Sequence, residues 1–369
     1  MAAPRRESLD QRHVSDDPGI GAVPVQRHRR PMEPVQPETL AERLFPEGDF
    51  AFGFGMQRPR QEWFRWNPAD PEALQERRHW LSSDPHRHLA WTDDAAPVLQ
   101  EALSLFPALP LAAEAPPHRR PQPTAPTGGS PRQPPPGSTS PHTVDPSGNP
   151  ILEPLDGRLK SLSLHWEPDL LLLRRDALGQ FRLVAGAVCF PSAWDLREKV
   201  GKTVDAIHAG VPTLNATLGT RINAFLDRLA PGQTFERDNW GLTAHGQRNA
   251  HPDRALPRLT ADATLETTWL RLEHQAFRAL PQSGGLLFAI HLTVHPLARV
   301  LQAPGARDRL ARQLRSMPDP IAAYKAILPA RHRLVRLLEH QEPLPHPQPS
   351  TPAEAERDRP GVRVGTSTS

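Results

Sequence analysis

Cysteine is almost absent from this chain, because Cys189 is the single one among 369 residues. One cysteine excludes an intramolecular disulfide, a Cys-ligated iron–sulfur cluster and a cysteine-rich zinc site. Long apolar runs are absent too: no stretch approaches the roughly 18 residues of a membrane-spanning helix, and the N-terminus lacks the apolar segment of a signal peptide. We therefore expect a soluble, cytoplasmic protein with no membrane partner, in which Cys189 is a packing residue.

The sequence also lacks the motifs that cradle phosphates or build a nucleophile elbow. It contains no G-x-G-x-x-G, no Walker loop and no G-x-S-x-G. The chain also lacks a large excess of either charge: 44 Lys and Arg residues nearly balance 41 Asp and Glu residues, which leaves a formal net charge of +3. Most basic residues alternate with acids or prolines instead of clustering, so we expect no nucleic-acid partner.

Proline, by contrast, is abundant, with 45 residues concentrated in a few segments. Residues 116–150 have almost nothing apolar to bury, so burial cannot offset the entropy lost on ordering. The two ends of the chain have the same character. The composition predicts a disordered arm (1–36), an N-terminal helical part (37–115), a disordered proline-rich insert (116–150), a folded core (151–340) and a disordered tail (341–369).

The order of the remaining elements predicts the fold class. Asp70 followed by Pro71 is typical of a helix start. Residues 168–190 form two apolar runs around an Asp/Gly turn, which indicates a β-hairpin, and residues 286–297 read as another strand. The segment "ERDNWGL" (236–242) reads as a loop. Strand pairs alternating with helical pairs predict an α+β fold with an antiparallel sheet and packed helices.

The segment that ends at His208 reads as one amphipathic helix beginning at the N-cap Ser192. On such a helix Gly201, Val204 and His208 share a face. A glycine in the middle of a helix destabilises it by about 1 kcal/mol relative to alanine. Close approach of a flat group or of another backbone would explain why glycine occurs here. His208 itself is either a helix-end histidine, bonded to a carbonyl or charged against the dipole, or the sole protein ligand of a haem iron. The spacing leaves both interpretations open.

Five motifs occur in a fixed order, and together they resemble the haem-dependent oxidative N-demethylase family. They are "CFPSAW" (189–194), "EKVG" (198–201), "IHAGVP" (207–212), "RDNWGL" (237–242) and "EHQAFRALPQS" (273–283). The resemblance is strong over 167–297 and weaker over 40–107. It implies a PAS-like fold that binds haem b and uses O₂ to remove a methyl group from a small secondary amine, releasing formaldehyde. It also implies separate flavin and iron–sulfur reductase subunits as electron donors.

The resemblance assigns roles to residues inside these motifs. His208 corresponds to the iron ligand, and one of three carboxylates would act as a distal acid or hold the protonated amine: Glu236, Asp238 or Glu273. Further residues expected to contact the haem or its propionates are Lys199, Gly201, Lys202, Val204, Arg237, Asn239 and Trp240.

Two positions depart from the family pattern. Gly210 stands where the family usually has proline, and His274 stands where it usually has arginine. If that arginine pairs with a propionate or lies near the substrate, the exchange alters charge and geometry together. A non-catalytic PAS-like module, which binds haem or another ligand as a sensor or docks a partner, is therefore the alternative function.

Overall fold

A computed structural model describes residues 37–51, 55–59, 70–106, 155–212, 214 and 219–340. The segments predicted to be disordered (1–36, 116–150 and 341–369) lie outside the described residues. The described part of the chain is a mixed structure of helices and one antiparallel sheet, which confirms the predicted α+β class.

The sheet has six strands in the order β1-β3-β2-β6-β5-β4, and every neighbouring pair is antiparallel. The predicted hairpin is confirmed as β2 and β3, which a tight turn joins; there Asp176 Oδ1 accepts hydrogen bonds from the amides of Leu178 and Gln180. The strands are β1 (Leu89–Trp91), β2 (Asp169–Arg175), β3 (Phe181–Ala187), β4 (Thr234–Thr243), β5 (Trp269–Ala279) and β6 (Leu286–Pro296).

Eleven α-helices lie within the described residues. The predicted start of α2 is confirmed, because Asp70 Oδ1 accepts a 2.9 Å hydrogen bond from the amide of Glu72. The helices are α1 (Pro37–Leu44), α2 (Pro71–Ser83), α3 (Pro85–His88), α4 (Ala96–Ser104), α5 (Leu155–His165), α6 (Val204–His208), α7 (Thr220–Arg228), α8 (Leu297–Val300), α9 (Ala306–Ser316), α10 (Asp319–Tyr324) and α11 (Leu328–Glu339).

Side-chain alternation gives the sheet two faces with different neighbours. On the helix face, which carries Leu170, Leu172 and Leu272, two buried clusters form. One joins the sheet to α2, α4 and α5, and the other joins it to α1 and α8–α11. On the cavity face, which carries Leu171, Leu173 and Gln275, the neighbours are α6, α7 and the loops before them.

The segments before and after residues 107–154 pack together around a buried arginine. Arg77 of α2 is fully buried and forms a 2.9 Å salt bridge with Asp169 of β2. The other carboxylate contacts of Asp169 are the amides of Cys189 and Phe190, at 2.8 and 2.9 Å. Strand β1 adds a second connection by pairing with β3 at the edge of the sheet.

The prediction of one helix from Ser192 to His208 is wrong. The segment contains a short 3₁₀ helix at Leu196–Glu198, capped by Asp195, and then the separate helix α6 with Thr203 as its N-cap. Between them Gly201 has φ of 85°, a left-handed conformation that ends a right-handed helix and favours glycine. Gly201 is therefore a turn residue, and the shared helical face of Gly201 and His208 does not exist.

The prediction of a loop at 236–242 is also wrong, because these residues form the middle of β4. Polar side chains occupy both faces of this strand, so it shows no apolar alternation. Strand β1 was not predicted either, since three residues are too few for a periodic signal.

Candidate functional site

A cavity of about 930 Å³ lies against the cavity face of the sheet. Its size is near the upper end of the range of about 300–1,000 Å³ that small-molecule and cofactor sites occupy. Apolar side chains from the sheet and from α6 and α7 form much of its wall, including Leu171, Ile207, Ile222, Phe225, Phe288 and Ile290. Such a wall suits a large, flat, apolar ligand.

His208 lines this cavity at the C-terminal end of α6. Its Nδ1 is buried and has no hydrogen-bond partner among the described residues. Burial, together with the positive charges of Arg237 and Lys199, lowers the pKa of His208 to about 4, against an opposing effect of Asp205. The ring is therefore neutral at physiological pH, which is the form that binds metals. The neutral ring argues against the interpretation in which His208 is a charged histidine that interacts with the helix dipole.

A second histidine, His245, also lines the cavity, and sequence reasoning missed it. It lies just beyond the end of β4, and its Nδ1 is buried without a partner among the described residues. Burial and the nearby charges of Arg271 and Arg254 lower its pKa. No family motif covers this position, so nothing in the sequence singled it out.

Two of the three predicted carboxylates, Asp238 and Glu273, line the cavity, and Glu236 does not. Glu273 is the one that other cavity-lining side chains bind. It lies on the cavity face of β5 and accepts three hydrogen bonds: from Ser192 Oγ at 2.5 Å, Asn239 Nδ2 at 3.1 Å and Gln275 Nε2 at 2.8 Å. The hydroxyl of Ser192 in turn accepts a 2.7 Å hydrogen bond from Arg271 Nε. Ser192 and Gln275 belong to the quoted motifs, but they were not predicted as site residues.

Two basic side chains lie close to Glu273. Arg237 donates from Nε to Gln275 Oε1 at 2.7 Å, and burial lowers its pKa while Glu273 opposes that effect. Lys325, which follows α10, donates from Nζ to the carbonyl oxygen of Trp240 at 2.6 Å and to Asn239 Oδ1 at 3.2 Å. Burial lowers the pKa of Lys325 to about 8, again against the effect of Glu273. Sequence reasoning missed Lys325, because a lysine at the end of a short helix usually faces solvent.

The side chains of Glu236 and Asp238 lie on the opposite, helix face of β4 and have other partners than Glu273. There they flank His274, whose Nδ1 lies 2.8 Å from Asp238 Oδ1 and whose Nε2 lies 3.4 Å from Glu236 Oε2. Arg43 adds a 2.7 Å ion pair to Asp238. Burial alone would lower the pKa of His274, but the hydrogen bonds to Asp238 and Glu236 raise it to about 9.

His274 is thus a cation on the helix face, as an arginine at this position would be. The exchange of arginine for histidine leaves the positive charge in place and lies away from the cavity. The other departure, Gly210, lines the cavity but is exposed, and a methyl group added there would meet no atom within 4 Å.

The remaining predicted haem contacts divide into two groups. Lys199, Val204, Asn239 and Trp240 line the cavity, whereas Gly201 and Lys202 do not. The ring of Trp240 packs edge-on against Phe45 on the helix face, with 5.1 Å between ring centroids.

Cys189 is fully buried outside the cavity lining. Burial raises the pKa of its thiol to about 12, so it remains protonated. A protonated, enclosed thiol is a packing residue and offers no thiolate to a metal.

Three alanines with left-handed backbone conformations all line the cavity: Ala193 (φ 61°), Ala255 (φ 46°) and Ala326 (φ 55°). They are the non-glycine residues with positive φ in the described part of the chain. Each such residue costs of the order of 1–3 kcal/mol, and strain of this kind concentrates at ligand-binding and catalytic sites. The surrounding fold holds the cavity rim in a shape that the local backbone does not favour.

Within the described residues, no three His, Cys, Asp or Glu side chains are grouped as a multidentate metal site. Two histidines with lowered pKa values, His208 and His245, line the cavity, and a haem iron needs one protein ligand. None of the described helices is long and apolar enough to span a bilayer.

The fold and the cavity together define an α+β protein with a large cavity against its antiparallel sheet. The sequence model of a family described as "haem-dependent oxidative N-demethylase, alpha subunit-like" matches residues 56–335, about three quarters of the chain. The chain therefore belongs to this family, and the resemblance inferred from its motifs is confirmed. The description implies dependence on haem and association with partner subunits.

Proposed function

We propose that the protein is a haem-dependent monooxygenase that removes a methyl group oxidatively from a small secondary amine and releases formaldehyde. The observation that carries the proposal is the neutral imidazole of His208 at the wall of a 930 Å³ apolar cavity, with a buried Nδ1 that has no partner among the described residues. Family membership supports the same reaction class.

The side chains of the cavity fit a haem b group. His208 would bind the iron, since its ring is neutral and its buried Nδ1 has no partner among the described residues. Lys199 and Arg237 supply positive charge for two propionates, through charge-assisted hydrogen bonds. The bound haem would supply oxygen activation and electron transfer, while the protein supplies ligation, orientation and electrostatics.

Glu273 is the group that we assign to the substrate. Its carboxylate already accepts three hydrogen bonds from neutral side chains, so these bonds fix its position without neutralising its charge. A protonated secondary amine can donate to this carboxylate, and the same oxygens can take the proton that the amine loses. Arg237 and Lys325 lie on the β4 side of this position, where they donate hydrogen bonds. Glu273 is therefore the acceptor for the ammonium group.

Two further assignments belong to this proposal. The strand order β3-β2-β6-β5-β4, with α6 and α7 inserted between β3 and β4, supports a PAS-like core to which β1 adds an edge strand. Electrons would come from flavin and iron–sulfur reductase subunits, since the single cysteine cannot ligate a cluster.

The absorption spectrum of the haem-reconstituted chain tests the ligand assignment, with His208→Ala beside the matched cavity variant His245→Ala. We expect a stoichiometric Soret band that His208→Ala shifts or abolishes and that His245→Ala retains. The reverse pattern would make His245 the ligand, and absence of haem uptake would refute the proposal.

Turnover separates an enzyme from a sensor. With reductant and O₂, an enzyme converts a secondary amine and produces formaldehyde in equal amount, whereas a sensor only shows reversible ligand binding. Glu273→Gln, which keeps the shape but removes the charge, should raise KM for the amine while leaving the Soret band unchanged.

A further inference from the structure

Lys325 is half-buried and lines the cavity, but the site described so far gives its amine no chemical role. The chain contains four lysines, at positions 160, 199, 202 and 325. Lys325 lines the cavity directly after α10 and beside the left-handed Ala326. It forms no direct ion pair with a carboxylate among the described residues, because its contacts are the carbonyl oxygens of Trp240 and Asn239.

These two contacts match a neutral amine. A neutral ε-amine has two N–H bonds and one lone pair, and the two carbonyl oxygens, at 2.6 and 3.2 Å, account for both N–H donors. The lone pair then remains free to attack an electrophile. The ring of Trp240 lies 5.6 Å from Nζ, and the neighbouring Tyr324 is 54% exposed.

The charged groups around Lys325 act in opposite directions. Burial lowers the pKa of Lys325 from 10.5 to about 8, Glu273 raises it, and Arg237 lowers it further. At neutral pH this lower pKa increases the neutral fraction of the amine roughly 300-fold over that of an ordinary lysine. Lysines whose pKa is lowered in this way serve as nucleophiles toward carbonyl compounds.

We infer that Lys325 is a covalent binding site for a small aldehyde, and that its physiological ligand is the formaldehyde formed in the same cavity. The source of the aldehyde rests on the proposed function, whereas the reactivity of the amine does not. The site would retain a diffusible, toxic one-carbon product until water or an acceptor nucleophile collects it.

The chemistry needs no further reactant. The nitrogen lone pair of Lys325 attacks the carbonyl carbon, and the C=O electron pair moves to oxygen, which takes a proton from the nitrogen. The resulting carbinolamine loses hydroxide as water, with one proton supplied by solvent, and leaves a protonated imine. Addition of water reverses both steps and returns formaldehyde and the free amine.

The test supplies formaldehyde from outside, so it does not depend on amine turnover. The full-length chain, after haem reconstitution, is treated briefly with dilute formaldehyde and sodium cyanoborohydride, which reduces an imine to a methylamine. Peptide mass spectrometry then measures methylation at each of the four lysines. Lower basicity cancels part of the gain in neutral amine, with a Brønsted coefficient of about 0.4–0.5 if amines follow thiols. We therefore expect Lys325 to react on the order of tenfold faster than the other three lysines at neutral pH.

Two variants make the result specific. Lys160→Arg removes a lysine of α5, outside the cavity lining, and should leave the rapid methylation unchanged. Lys325→Arg keeps a cation that can donate to Trp240 and Asn239 but cannot form an imine, so the rapid phase should disappear. The initial rate at Lys325 should rise with pH and level off above about 8.

Methylation of Lys325 at the same rate as the other lysines would overturn the inference, even if the amine is demethylated. Rapid methylation of Lys325 in a protein that fails to turn over amines would support the covalent site and refute the proposed function alone.

Discussion

The cluster of His274, Glu236 and Asp238 predicts a stability that depends on pH in a defined window. The pKa of His274 is raised from 6.5 to about 9 in the folded chain. Below the unfolded value of 6.5, His274 is protonated in both states and its full stabilisation is present. As pH rises toward 9 the unfolded chain loses this proton first, so the free energy of unfolding falls.

The size of the effect follows from the pKa difference. Each pKa unit corresponds to about 1.4 kcal/mol, so the raised pKa represents roughly 3 kcal/mol that is lost between about pH 6.5 and 9. Solvent screens these contacts little, because only 17% of the His274 side chain is exposed. A loss of this size is a large share of the 5–15 kcal/mol that stabilises a typical domain.

His274→Arg is the informative variant, because arginine stays charged throughout this window. Urea unfolding of both proteins at several pH values gives the difference in unfolding free energy, in which all other titrating groups cancel. We expect this difference to change by about 3 kcal/mol across the window in favour of the arginine variant. A constant difference would refute the assignment of His274 as a cation held by two carboxylates. The Soret band should not change, since His274 lies on the helix face.

Two further substitutions test the fold around the site. Asp169→Asn leaves the buried guanidinium of Arg77 without its ion pair and should cost about 3–5 kcal/mol of unfolding free energy. Asp227→Asn, at its exposed ion pair with Arg175, should cost under about 1 kcal/mol. Gly201→Ala forces a side chain into a left-handed conformation and should cost about 1–2 kcal/mol. The matched variant Gly210→Ala adds a methyl group to open space without positive φ, so equal losses for the two would contradict the turn at Gly201.

The hairpin and the start of α2 could be predicted because their signals are local. An Asp/Gly turn between apolar runs, and an Asp-Pro pair before a helical pattern, act within a few residues and do not depend on tertiary contacts. The helix from Ser192 to His208 could not be predicted correctly, because apolar spacing does not reveal backbone conformation. Here the side chain of Ser192 is bound by Glu273, which is distant in sequence, and Gly201 turns the chain.

Strand β4 shows why functional strands are difficult to recognise. Its Arg237 and Asn239 face the cavity, while its Glu236 and Asp238 bind His274 on the other side. Polar residues on both faces remove the period of two that marks a half-buried strand. The polar residues that form the site thus hide the apolar alternation by which β4 could have been recognised as a strand.

Within the candidate site, the sequence indicated His208 and Glu273 because motifs contain them. It could not indicate Lys325 or His245, which lie outside every motif and reach the cavity through the tertiary fold. Nor could it assign Glu236 and Asp238 to the opposite face, since that choice depends on the strand register that was not recognised.

The packing of α4 against α5 has a practical consequence for the way this chain can be divided. The ring of Phe106, just after α4, lies 4.9 Å from that of Trp166, just after α5, so the described residues on either side of 107–154 meet in space. Arg77, Asp169 and the pairing of β1 with β3 already hold the two parts together without a peptide bond between them. Two separately encoded polypeptides, divided within 107–154, should therefore find each other and rebuild the cavity, which would make haem colour a reporter of reassembly.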